Sequence, residues 1–122
     1  MNYIKLFENF DLLSSDIKDI LWEISYDNKI DINVRKISTG PNKLIVTLSN
    51  SKSHGIDVNK YKDDFLRLRE YTIINGYQFS SISYDKGGET IYPKILYKLK
   101  EKELFNYLFE IPITNYIRLY FK

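Results

Sequence analysis

The sequence predicts an α+β domain: an antiparallel sheet with two helices on one face. Three observations carry this. Ile30, Ile32 and Val34 alternate with Asp31, Asn33 and Arg35, and Leu44, Val46 and Leu48 repeat the period-two spacing beyond a turn-rich stretch, the period of half-buried strands. Two other stretches place apolar residues three and four apart, the period of an amphipathic helix. Alternation then returns toward the carboxyl terminus. The expected order is β-α-β-β-α-β, a ferredoxin-like βαββαβ core. A β-rich carboxyl-terminal extension follows it, and residues 1–122 form one domain.

Residues 3–8, Tyr-Ile-Lys-Leu-Phe-Glu, are read as a first short strand. Ser14, Ser15 and Asp16 then offer N-caps. Leu13, Ile17, Ile20, Leu21 and Ile24 follow at helical spacing, so a helix is expected over 16–26. Asp16 and Asp19 fall in its first turn, where the helix dipole favours negative charge. Trp22 falls off the apolar stripe.

The two alternating runs form a hairpin closed by Ser38-Thr39-Gly40-Pro41-Asn42. Residues 50–57 are polar, contain Gly55 and read as a loop. A second helix is expected over 58–75. Val58, Tyr61, Phe65, Leu68 and Thr72 form its stripe, with Leu66 and Ile73 beside it. Asp57 is its N-cap and Gly76 its left-handed terminator.

Residues 77–84 are a strand, 85–89 a turn around Gly87-Gly88, and 90–99 a further strand. Pro93 assigns that strand to an edge or a bulge. Residues 100–113 read as a short helix through Leu104, Tyr107 and Leu108. The alternative is a strand through Phe105, Tyr107, Phe109 and Ile111. Ile117, Leu119 and Phe121 alternate with Arg118 and Tyr120, so the chain ends in a strand.

Composition speaks against catalysis. Eleven tyrosines, seven phenylalanines and one tryptophan share the chain with one histidine and no cysteine. Without cysteine there is no disulfide framework and no thiolate zinc site, which fits a reducing cytoplasm. The first eleven residues lack the pattern of a secretory leader, and no apolar run is long enough to span a membrane. Alanine is absent, while Ile, Lys, Tyr and Asn number 17, 14, 11 and 10. These are residues of AT-rich codons, so part of the tyrosine excess reflects coding.

His54 lies in Ser53-His54-Gly55-Ile56-Asp57. A hydrolase would need a serine beside it and Asp57 behind it, and Gly-x-Ser-x-Gly is absent. Asp63-Asp64, near a helix start, suits only a hard cation such as Mg²⁺, and such a pair is ordinarily part of a solvated helix face. Lys86-Gly87-Gly88 lacks the spacing of a phosphate loop. No enzyme activity, metal or cofactor is expected.

The net charge of +2 is uneven. Residues 1–31 carry seven acids against three lysines, and residues 32–62 six bases against one acid. Arg35, Lys36, Lys43, Lys52, Lys60 and Lys62 make up a first basic cluster. Tyr92, Lys94, Lys98 and Lys100 share one face of the 90–99 strand and its continuation by period two. Such faces hold phosphates and stack bases, and lysine on an edge strand also blocks aggregation. On the final strand Tyr116, Arg118 and Tyr120 face away from Ile117, Leu119 and Phe121. Tyrosine and arginine are enriched at interface hot spots, so these three are the leading protein-contact candidates.

The opening Met1-Asn2-Tyr3-Ile4-Lys5-Leu6-Phe7-Glu8-Asn9-Phe10 resembles the amino termini of small proteins encoded by phages with AT-rich genomes. The resemblance implies an accessory protein in the cytoplasm of an infected bacterium. Such proteins, anti-CRISPR proteins among them, often bind and inhibit a host defence protein or ribonucleoprotein. A nucleic-acid-guided nuclease is the most concrete target of that kind. The alternatives are a virion or assembly component forming homo-oligomers, and a small RNA-binding module.

Overall fold

The chain begins with a helix where a strand is expected. The computed structural model describes residues 2–40, 43–50, 55–93 and 100–122, with side chains from Phe10 onward except that of Asn28. In it, α1 spans Asn2–Ile20 and α2 spans Trp22–Asn28. The reason is spacing: Leu6, Phe10, Leu13, Ile17 and Leu21 recur every three or four positions, with no Gly or Pro before residue 40. Ser14, Ser15 and Asp16 therefore lie inside a helix rather than capping one. Leu13, Ile17, Leu21 and Ile24 are buried, as their stripe predicts. Across the junction, Leu21 N–H donates to the Ile17 carbonyl and Ser25 N–H to that of Leu21, each at 3.1 Å. Lys29 ends α2 in the left-handed region at φ 51°.

The predicted hairpin is present as β1 (Asp31–Lys36) and β2 (Leu44–Ser49), paired antiparallel with Asp31 opposite Ser49. Residues 41–42 of its loop lie outside the described residues. A 3-10 turn, Val58–Tyr61, leads into α3, Lys62–Ile74. Asp57 caps the turn by accepting from Asn59 N–H at 3.1 Å. Val58, Tyr61, Phe65, Leu68 and Thr72 are all buried, whereas Ile73 is exposed.

β3 (Phe79–Lys86) and β4 (Glu89–Ile91) make a second hairpin. Gly87 and Gly88, at φ 60° and 86°, close it. Two successive left-handed residues are what a tight hairpin turn demands, and only glycine adopts them freely. The strand expected over 90–99 ends at Ile91, two residues before Pro93, which has no N–H to continue a ladder; residues 94–99 lie outside the described residues. The helical reading of 100–113 holds: α4 spans Glu101–Tyr107 and a 3-10 turn Leu108–Glu110. β5, Tyr116–Phe121, ends the chain.

The strands form one antiparallel sheet in the order β1-β2-β5-β3-β4. This corrects two expectations. With residues 2–20 helical, the first strand of a βαββαβ core is missing. β5 is also no extension, because it occupies the centre between β2 and β3. Its apolar row explains the position: Ile117, Leu119 and Phe121 are each 0% exposed. They lie opposite Leu48, Val46 and Leu44 on β2 and opposite Tyr84, Ile82 and Phe79 on β3.

All four helices, rather than two, contribute to a single core on this one face. Phe121, Phe79, Phe105 and Phe109 run through it as edge-to-face neighbours, with centroids 5.6, 5.4 and 5.8 Å apart. Arg69 on α3 grips Glu101 on α4 through bonds of 2.6–3.2 Å, which holds the guanidinium pKa above its ordinary value. No described helix is long and apolar enough to cross a membrane.

Two phenols couple this packing to alkaline pH. Burial, and then a 2.7 Å hydrogen bond donated to Asp16, pushes Tyr71 up to about 12. Burial, and then hydrogen bonding with Tyr84, pushes Tyr107 up to about 12. An unfolded tyrosine ionises near 10. The stability these groups contribute is therefore complete below about pH 10 and lost as pH rises through about 12. Thermal melts followed by circular dichroism should show Tm falling steeply between about pH 10 and 12. A Tyr71→Phe/Tyr107→Phe double variant should show a shallower fall; an unchanged slope would contradict the assignment.

Candidate functional site: the open sheet face

Strand alternation that sends Ile117, Leu119 and Phe121 into the core sends Tyr116, Arg118 and Tyr120 to the other face. No described helix packs on that face. Cross-strand register builds its rows. Arg118 lies in a rung Asn33–Thr47–Arg118–Ser83, and Tyr120 in a rung Arg35–Ile45–Tyr120–Ser81. Tyr116 lies opposite Ser49, which in turn faces Asp31.

Arg118 is the centre of the arrangement. Its guanidinium carbon stands 5.3 Å from the Tyr116 ring centroid, a cation–π contact. Burial works against its charge, but hydrogen bonding to Tyr120 and the nearby phenols of Tyr116, Tyr120 and Tyr92 outweigh it and hold the pKa above its ordinary value. Its Nε is nevertheless buried without a hydrogen-bond partner, alone in this respect among the described side chains. Ser83 Oγ lies 3.4 Å from the Tyr120 hydroxyl. Beside Arg118, a depression of about 390 Å³ is lined by Ser83, Asp85, Thr90, Tyr92, Tyr116 and Arg118.

The structure thus brings Tyr92 to the Tyr116–Arg118–Tyr120 face, although these residues come from opposite ends of the last third of the chain. It disperses the first basic cluster. Arg35 is exposed on the open face, and Lys43 is exposed at the hairpin end. Lys36, one residue on from Arg35, turns to the helical side and lines a cleft with Asp16 and Tyr71. Lys60 and Lys62 belong to the helical layer, where they stand over the Tyr61 and Phe109 rings at 5.5 and 5.2 Å. Lys52 lies outside the described residues.

Of the predicted Tyr92–Lys100 face, only Tyr92 and Lys100 lie among the described residues. β4 stops at Ile91 and Lys100 is the residue before α4; Lys94 and Lys98 lie outside the described residues.

Ser83, Asp85 and Thr90 are lining residues that sequence reading missed. Their signal was present in β3, where Ser81, Ser83 and Asp85 alternate with Ile82 and Tyr84. Only cross-strand pairing shows that this polar row adjoins Arg118.

Chemically the depression, with Tyr120 beside it, offers guanidinium N–H donors, three phenols, two hydroxyls and one carboxylate. This is an inventory for recognition, with aromatic area to bury and few polar groups to set orientation. At the start of α3, Asp64 is buried and ion-paired with Arg67, whereas Asp63 is exposed. No three His, Asp or Glu side chains converge among the described residues, and His54 lies outside them. Comparison with protein-family models, with curated protein sequences and with solved structures finds no match to this chain.

Proposed function

We propose that this is a non-enzymatic binding protein whose open sheet face docks onto an acidic segment of a partner protein. The observation that carries the reading is the half-buried Arg118 guanidinium, set among tyrosines and without an acidic ion-pair partner among the described residues. The side chain is only half-buried, so an incoming carboxylate can pair with its outer N–H groups and neutralise the charge. Tyr116, Tyr120 and Tyr92 supply the surrounding apolar area that excludes water from such an anchor.

Joined to the amino-terminal resemblance, this reading makes the protein a phage accessory factor that inhibits a host defence protein or ribonucleoprotein sterically. A nucleic-acid-guided nuclease is the leading class of target, in the cytoplasm of the infected cell.

One observation favours a second reading, direct RNA contact. Tyr92 is 64% exposed beside Arg118, a platform on which a base could stack. Lys36, Lys60 and Lys62 lie on the helical side, away from this face. The continuous phosphate track that single-strand binding needs is therefore missing among the described residues, which favours the protein partner.

Capture of tagged protein from host lysate, with and without nuclease, separates the two. The expected result is a partner retained after nuclease treatment. Tyr116→Ala and Tyr120→Ala should each weaken it at least about tenfold, roughly 1.4 kcal/mol. A partner lost on nuclease treatment would move the assignment to RNA. Capture indifferent to both substitutions, with the fold intact, would remove the face from the mechanism.

A further inference from the structure

The open edge of β1 is self-complementary. β1 ends the sheet, so one side of its backbone has no described strand beside it. Ile37 N–H donates to the Lys43 carbonyl at 2.9 Å, which makes odd-numbered β1 residues the hydrogen-bonded pairs with β2. The N–H and C=O groups of Ile32 and Val34 therefore point off the edge, and no described residue hydrogen-bonds them. Such an edge is a template for another strand.

We infer that this edge pairs with the β1 of a second copy, antiparallel, about a two-fold axis at Asn33. In that register Val34 N–H meets the partner's Ile32 carbonyl and Ile32 N–H the partner's Val34 carbonyl, twice over by symmetry. The parity is the one the β1–β2 ladder leaves free. On the core side, half-buried Ile32 and Val34 lie opposite each other and extend the apolar row. On the open side, exposed Asp31 lies opposite exposed Arg35, again twice. A register centred on Val34 instead sets Arg35 opposite Asn33 and leaves Asp31 without a basic neighbour, so charge selects the Asn33 axis.

The contact uses none of the Tyr116–Arg118–Tyr120 residues, and it stands whether or not that face binds a partner. Because the axis runs through the sheet, both open faces lie on the same side of the ten-stranded assembly. A dimer would then be bivalent toward a repeated target. The five residues paired in this register, 31–35, fall well short of a standard interface of about 1,600 Å², so the dimer is weak, with Kd above about 1 µM.

Sedimentation equilibrium on the full chain, from about 5 to 500 µM to span Kd values above that bound, tests the inference. Asp31→Arg and Arg35→Asp each set like charges face to face and should raise Kd at least about tenfold. The double reversal should restore it to within about threefold. Val34→Pro removes an outward N–H while sparing the β1–β2 ladder, and should leave a folded monomer by circular dichroism. If Val34→Pro unfolds the chain, the charge exchange on two exposed side chains decides alone. A monomer at every concentration would overturn the inference, showing that Asp31, Arg35 and Lys36 only guard the edge. A dimer indifferent to both single reversals would overturn it as well.

Discussion

Phe121→Ala should cost about 4 kcal/mol of folding stability, among the largest effects expected of a core truncation. Phe121 is 0% exposed and lies on the central strand, opposite Leu44 of β2 and Phe79 of β3. Truncation removes a large buried apolar surface and leaves a cavity beneath four helices, which cannot close fully around it. It also removes an edge-to-face pair with Phe79 at 5.6 Å, worth about 1 kcal/mol beyond area alone. A domain of this size has about 5–15 kcal/mol in hand, so the variant should fold but unfold readily. With a urea slope of about 2 kcal/mol per molar, the midpoint should fall by about 2 M. Ile74→Ala provides the contrast, because Ile74 is 82% exposed and its loss should stay within about 0.5 kcal/mol. A Phe121→Ala midpoint within about 0.5 M of the parent would be incompatible with β5 at the sheet centre.

Arg118→Met should separate stability from binding in opposite directions. In the folded chain the guanidinium holds a buried N–H with no acceptor, a cost of about 1–3 kcal/mol. Methionine keeps an apolar stem out to the position of Nε and removes that cost. It also gives up the Tyr116 contact, worth about 0.5–1 kcal/mol. Stability should therefore hold or rise by about 1 kcal/mol. Partner affinity should fall by about 2 kcal/mol or more, roughly thirtyfold, since the anchoring charge is gone. Urea unfolding and a binding titration on the same preparation measure both quantities. Loss of both together would make Arg118 a structural residue and remove it from the recognition face.

Several elements were legible because their information is local. Val58, Tyr61, Phe65, Leu68 and Thr72 repeat at three and four, and all five are buried. Gly87-Gly88 marks a tight hairpin because few residues other than glycine take two left-handed positions in succession. Residues 3–8 failed for the converse reason. A short apolar run fits strand and helix alike, and only its continuation through Phe10, Leu13 and Ile17 decides for the helix.

The candidate site divides in the same way. Alternation alone places Tyr116, Arg118 and Tyr120 on one side of a strand. Nothing local shows that Ser83, Asp85 and Tyr92 come to Arg118, or that Lys36 and Lys60 turn away from it.

The sequence by itself determined which residues of each element share a face, because helix and strand periods are properties of the backbone. Tertiary structure decided which strands are neighbours. The last strand lies at the centre of the sheet because its wholly apolar row is best buried between β2 and β3, which precede it by tens of residues. That placement makes its opposite row, Tyr116 to Tyr120, the middle of an open face, with Arg118 at its centre.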